Sequence, residues 1–354
     1  MKATKQVSSQ AKTTAEEQPF LESLALFLEQ LPERSRDIVH ARFGMVSGTP
    51  ETLEEIGRAY QITRERVRQV IGGVIGFLSS EQESDKVSRV SEMIKSTLEK
   101  KSGIMEAEEL LSKLSRGDEK ERGALLAFLE CLSLVETEKA TKDRERVYVL
   151  RGFPLEKWKE VKDVARKILS QADEVLEGKE LYSRFAALKR QETEKEFFDF
   201  LSVAKDIKQN VFGNWGLSSW SDIKPRGTRE KAYLVLKTGG KPMHFRDIAK
   251  LIDEHGLQGK KAKSHPQTVH NELIKDSRFV LVGRGIYGLS EWGFKKGTVK
   301  EVIEEILKKA GKALTREEIV AEVLKVRQVK KSTIIINLNT FFTRVGKNEY
   351  ALKK

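Results

Sequence analysis

The strongest constraint on this chain is a repeat. Gly227-Thr228 opens one segment and Gly297-Thr298 opens another 70 residues later. Within them KTGGKPMHFRDIAKLI (237–252) matches KKAGKALTREEIVAEVL (308–324) in pattern, and QTVHNELIKDSRFVLVGRGIYGL (267–289) matches STIIINLNTFFTRVGKNEYAL (332–352). Each segment reads as three helices and then two short alternating runs around a turn, Gly283-Arg284-Gly285 in one and Gly346-Lys347-Asn348 in the other. Period-two alternation around such a turn is the mark of a β-hairpin. Three helices closed by a hairpin form a winged helix, and repetition at this length means an array of small domains rather than one large core. Two weaker copies precede these. One ends in the long charged hairpin LVETEKATKDRERVYVL and the other in IKQNVFGNWGLSSW. Both read equally as DNA-binding units or as spacers.

The expected fold is therefore mainly α and multi-domain, a helix-turn-helix followed by tandem winged helices with small β-hairpin wings. The expected parts are a disordered polar tail (1–18), a helix-turn-helix (19–80), winged-helix-like units at 86–150 and 155–222, a basic winged helix (226–293) and a last winged-helix-like unit (294–354). A charged fraction of 33% against 39% hydrophobic residues suits several modest cores.

Charge is unevenly placed. Residues 226–354 hold 28 Lys+Arg against 14 Asp+Glu, a balance of +14; the rest of the chain holds 37 against 39, a balance of −2. A basic region joined to a neutral one points to a polyanion, nucleic acid before membrane. No apolar run approaches the roughly 20 residues of a bilayer span. The N-terminal MKATKQVSSQAKTTAEEQ lacks the apolar core of a secretory signal, so the cytoplasm, in association with the nucleoid, is the expected location. Cys131 is the only cysteine, which excludes an intramolecular disulfide framework and multi-cysteine metal sites.

The first motif lies at Leu31–Leu78. Thr52-Leu53-Glu54-Glu55 is a capping box that starts one helix, and Thr63 caps the next, which runs from Arg64 to about Leu78. Leu53, Ile56, Ala59 and Tyr60 are expected to form the apolar stripe of the first helix. Ile62 fills the turn, and Val67, Val70 and Ile71 face the core from the second. Arg64, Glu65, Arg66, Arg68 and Gln69 are left outward. The N-terminal residues of a recognition helix reach base edges. Arg64 suits guanine, Glu65 suits cytosine and Gln69 suits adenine, whereas Arg66 and Arg68 are placed for phosphates. The helix continues as Ile71-Gly72-Gly73-Val74-Ile75-Gly76-Phe77-Leu78, uncharged and weakened by glycine, so its phosphate affinity is expected to be low.

LPERSRDIVHARFGM (31–45) and TLEEIGRAYQITRERVRQV (52–70) resemble region 4 of the primary, sigma-70-type, bacterial sigma factors. That resemblance implies a helix-turn-helix that reads the −35 promoter element and packs on the β flap of RNA polymerase, with base contacts at the positions of Arg64, Glu65 and Gln69. Nothing in the chain resembles the region that melts the −10 element. Residues 226–293, through GGKPMHF and FVLVGRGIYGL, resemble the HARE-HTH domain found in the delta subunit of RNA polymerase and in restriction and chromatin proteins. That resemblance implies a non-catalytic module associated with transcription or DNA. In it Lys260, Lys261 and Lys263 precede the third helix and Arg284 sits at the wing tip, where all four can meet phosphates without regard to sequence.

Other signals carry no chemistry. His244, His255, His265 and His270 lie in one unit but without metal-ligand spacing, and His265-Pro266 reads as a helix start. Lys237-Thr238-Gly239-Gly240-Lys241 lacks the spacing of a phosphate loop. Phe197, Phe198 and Phe200 read as core, and Cys131 as a buried small hydrophobe. With no catalytic constellation, cofactor site or metal site, the expected function is sequence-specific DNA binding in transcription initiation, with double-stranded DNA and the RNA polymerase core as partners and no membrane or small-molecule substrate. The alternatives are a delta-like polymerase accessory that acts through protein contacts alone, and a DNA-modification or restriction accessory.

Overall fold

The computed structural model describes residues 18–81, 84–259, 263–294, 297–327 and 329–353. The polar tail, apart from Gln18, lies outside them, as do Lys260 and Lys261. Sixteen α-helices and small antiparallel sheets make up the described residues, a mainly α chain of several domains.

The first four helices are α1 (Pro19–Leu28), α2 (Glu33–Phe43), α3 (Leu53–Ala59) and α4 (Arg64–Ser80). Thr52 and Glu55 close the capping box at α3: the Glu55 carboxylate accepts from the Thr52 backbone N–H at 2.8 Å and the Thr52 hydroxyl accepts from the Glu55 N–H at 3.3 Å. Thr63 accepts from the Arg66 N–H at 3.1 Å and starts α4. Leu53, Ile56 and Tyr60 pack inward as expected, but Ala59 is exposed and Gly57 is buried in its place. The reason is angular. At about 100° per residue Leu53, Ile56, Gly57 and Tyr60 share one side of the helix, and the position of Ala59 falls outside it. Gly57 lies so close under the turn that a Cβ there would stand 2.8 Å from the Ile62 carbonyl oxygen. Val67, Ile71, Val74 and Leu78 are the buried side of α4, with Val70 half-buried beside them.

The next segment runs α5 (Asp85–Glu99), β1 (Ile104–Glu106), α6 (Ala107–Ser115), α7 (Glu119–Cys131), β2 (Val135–Glu138) and β3 (Val147–Leu150), with sheet order β1-β3-β2. It does not build a core of its own. Residues 20–78 and 87–148 share one apolar cluster, in which Phe20 of α1 meets Phe128 of α7 at 6.5 Å between ring centroids. The buried Glu121 carboxylate of α7 accepts from the N–H groups of Phe20 (2.7 Å) and Leu21 (2.9 Å), which closes the start of α1. Burial pushes the Glu121 carboxyl upward, and these two N–H groups oppose that. Gly123 sits against the end of α2, where a Cβ would lie 2.0 Å from the Phe43 carbonyl oxygen.

Three more segments repeat the order. One contains α8 (Leu155–Ala172), α9 (Gly178–Ala186), α10 (Glu194–Ser202), β4 (Ile207–Gln209) and β5 (Trp215–Leu217). Here a single bridge, Leu176 to Trp215, occupies the place of the first strand. The next contains α11 (Thr228–Gly239), β6 (Met243–His244), α12 (Phe245–Glu254), α13 (Pro266–Lys275), β7 (Phe279–Gly283) and β8 (Ile286–Leu289), with order β6-β8-β7. The last contains α14 (Val299–Ala310), β9 (Leu314–Thr315), α15 (Arg316–Val326), α16 (Lys331–Phe341), β10 (Thr343–Arg344) and β11 (Glu349–Ala351), with order β10-β11-β9. Sequence patterning reads each copy as three helices and a hairpin. It misses the short strand between the first two helices, which pairs with the returning arm of the hairpin.

By contact density the described residues fall into two units. One holds residues up to Lys167 together with Tyr182–Ile207, and the other holds Ile168–Leu181 together with residues from Lys208 onward.

Candidate nucleic-acid interface

The interface begins at a tight turn. Gln61 adopts a left-handed backbone at φ 54°, and Arg34 donates to the Tyr60 carbonyl at 2.6 Å, which closes the end of α3. Helix α4 then starts at Arg64. Arg64, Glu65, Arg66, Arg68 and Gln69 are all exposed on its first turns, and Val67 is fully buried between them. Beside this start lies an open cavity of about 590 Å³, lined by Glu54, Arg58, Gln61, Thr63, Arg64 and Arg66 among others. Three guanidinium groups against one carboxylate, at the positive end of a helix, make an environment that favours an anion.

The exposed side chains are already organised. Arg68 donates to Glu65 through two nitrogens, at 2.9 and 2.6 Å, and Arg66 donates to Gln69 at 3.3 Å. The hydrogen bond from Arg68 holds the Glu65 carboxyl below its ordinary range and raises the Arg68 guanidinium. Glu65 thus stays ionised and acceptor-only, the form that takes a hydrogen bond from an exocyclic amine. Arg64 stands first on the helix, its side chain open to solvent. From Gln69 to Leu78 the exposed positions of α4 are Gly72, Gly73 and Gly76, and a Cβ at any of them would meet nothing within 4 Å.

In the basic winged helix Lys263 is exposed just before α13, and Arg284 is exposed at the tip between β7 and β8, followed by Gly285 at φ 71°. Lys260 and Lys261 fall outside the described residues. The histidines serve the structure. His244 accepts from the Arg246 N–H and caps α12, and His255 ends that helix. His265 is the cap residue before Pro266 at the start of α13. His270 stacks on Phe245 with centroids 4.4 Å apart. No group of three metal-ligating side chains converges among the described residues. The Gly239-Gly240 pair ends α11, with Gly240 at φ 62°. Phe197 and Phe200 are buried and Phe198 is half-buried.

The wing of the first middle unit is differently used. Its tip is bonded to residues 203–205: the Glu145 N–H donates to the Val203 carbonyl (3.0 Å) and the Lys205 N–H donates to the Asp143 carbonyl (3.0 Å). Behind it the buried Lys162 ammonium lies 2.8 Å from Asp163, 3.7 Å from Asp143 and 4.0 Å from Asp206. That wing is a joint within the protein. Sequence patterning gives no sign of it, because its partners lie about 60 residues away and carry no alternation of their own.

A capped helix-turn-helix and a basic winged helix define a chain of helix-turn-helix modules of the kind associated with DNA and transcription. Comparison with known proteins agrees, module by module. Residues 27–72 match the family "Sigma-70, region 4", and residues 227–292 match the HARE-HTH family, the helix-turn-helix domain of ASXL and restriction endonuclease proteins. Over 49 residues the chain is 45% identical to the RNA polymerase sigma factor SigA of Nostoc sp. (strain PCC 7120 / SAG 25.82 / UTEX 2576). That stretch is 14% of this chain and 13% of the relative. Neither matched family is catalytic, and no helix among the described residues is long and apolar enough to cross a membrane.

Proposed function

We propose that this chain is a sequence-specific regulator of transcription initiation that binds a −35-like promoter element and RNA polymerase. The observation that carries the proposal is the row of exposed polar side chains at the start of α4, fixed from behind by the buried Val67. Arg64, Glu65 and Gln69 read base edges in the major groove. Thr63, Arg66 and Arg68 hold the flanking phosphates. The basic winged helix adds sequence-blind grip through Lys260, Lys261, Lys263 and Arg284. The polymerase contact, with the β flap as the candidate surface, belongs to the same region-4-like module, and the working place is the nucleoid. The deciding experiment compares binding of wild type and Arg64→Ala to a promoter duplex and to a scrambled duplex. Selective loss on the promoter supports base reading, and equal loss on both makes Arg64 a phosphate contact.

One observation favours a second reading. Between Gln69 and Leu78 the outward face of α4 is bare glycine and offers no cation to a phosphate. In that reading the module docks on polymerase without DNA, and Arg64→Ala weakens polymerase binding while leaving both duplexes unaffected.

A further inference from the structure

The last winged unit lies beyond both matched families and carries its own charge, 15 Lys+Arg against 7 Asp+Glu over residues 294–354. A pocket of about 430 Å³ opens on it, lined by Lys300, Glu304, Lys308, Phe341, Phe342, Leu352 and Lys353. Phe342 is buried and forms the floor, whereas Phe341 stays 42% exposed at the end of α16. The Lys300 ammonium stands 5.1 Å from the centre of the Phe341 ring. Lys300 is shared with Glu304 at 3.6 Å; Lys308 and Lys353 are exposed at the rim.

An exposed aromatic face ringed by three ammonium groups and one carboxylate suits a ligand that is planar and anionic together. Cation–π contact alone holds Lys300 weakly at an exposed site. A base that slides onto Phe341 displaces that ammonium toward the phosphate attached to the base, so stacking and ion pairing reinforce each other. Duplex DNA cannot use this pocket, because its bases are stacked inside the helix and present only edges. Unpaired strands offer a free π-face at every base and bind through this combination of aromatic platform and basic rim. We propose that the pocket around Phe341 is a binding site for single-stranded DNA, with one base on the Phe341 ring and its flanking phosphates on Lys300, Lys308 and Lys353. The site is independent of α4 and stands whether or not that helix reads a promoter.

The test uses the full chain and fluorescence anisotropy with labelled oligo(dT) of about 12 nucleotides, within the usual span of a single-strand site. Phe341→Leu keeps apolar volume and removes the π-face. It is expected to weaken oligo(dT) binding about tenfold, with duplex affinity and thermal melting unchanged, while Phe341→Trp restores or improves binding. Replacing Lys300, Lys308 and Lys353 together by glutamine should flatten the dependence of log affinity on log salt by about 2, at roughly 0.7 per phosphate on a single strand. Wild-type affinity in Phe341→Leu, or equal loss on strand and duplex, would overturn the site. So would thymidine triphosphate binding as tightly as the oligonucleotide, which would make the pocket a mononucleotide site.

Discussion

At the residue scale the chemistry rests on which side chains α4 turns outward. Replacing Arg64 or Gln69 by alanine removes no buried contact, so folding should survive. Each should cost about 1–3 kcal/mol at a matched promoter element, the worth of one bidentate base contact, and little on unrelated DNA. Arg66→Ala should instead lose affinity on every sequence and reduce the salt slope. Titrations of the three variants against promoter and scrambled duplexes at two salt concentrations separate these outcomes. Cys131 offers a different check. Burial pushes its thiol up to about 12. A group with its folded value raised stays protonated through neutral pH, so at about pH 8 it carries almost no thiolate, the reactive form. Iodoacetamide should leave the native chain unlabelled and modify Cys131 promptly once the chain is unfolded, as mass spectrometry would read.

At the element scale two features around the helix-turn-helix can be tested through glycine. Gly72, Gly73 and Gly76 lie in α4, exposed and with open space where a Cβ would go. Each should therefore accept alanine with a gain of up to about 1 kcal/mol, since alanine has less backbone freedom to lose on folding. Urea denaturation of the single and triple variants measures it. Gly123 is the opposite case, because a side chain there collides with the Phe43 carbonyl. Gly123→Ala should cost a few kcal/mol, about the scale of overpacking a core. Because residues 20–78 and 87–148 share one core, the amides of α4 should lose exchange protection together with those of α7. Loss confined to α7 would show two separate cores.

The contrast between these elements explains what was legible. The caps at Thr52 and Thr63, the buried Val67 and the outward Arg64, Glu65 and Gln69 all follow from local spacing, which a single helix and its turn enforce. Ala59 departs from its expected place because alanine gives no pull toward either face, whereas the close turn needs the bare Gly57. Strands such as Met243–His244 and Leu314–Thr315 are two residues long, too short to show alternation, and exist only because a hairpin elsewhere in the unit supplies their partner. The shared core, the Glu121 cap on α1 and the pinned wing at Asp143–Glu145 are long-range contacts for which neither segment carries a signal.

At the scale of the whole molecule the surplus charge lies in residues 226–354, and the base-reading face lies in α4. Specificity and grip are thereby assigned to different modules. The neutral α4 surface beyond Gln69 adds little phosphate affinity, so most of the sequence-blind term should come from the basic third of the chain. Neutralised phosphates release counterions, and log affinity for duplex DNA should fall linearly with log salt at about 0.9 per phosphate. Replacing Lys260, Lys261, Lys263 and Arg284 by glutamine should flatten that slope by about 3.6 if all four meet phosphates. The flattening should be the same on promoter and scrambled duplexes, and the ratio of the two affinities should hold, because that ratio is set by Arg64, Glu65 and Gln69. Filter binding of the full chain between about 50 and 200 mM salt covers the range where such slopes are steep. A slope unchanged by the four replacements would move the grip elsewhere in the molecule. A collapse of the promoter preference would mean that the basic winged helix itself reads sequence.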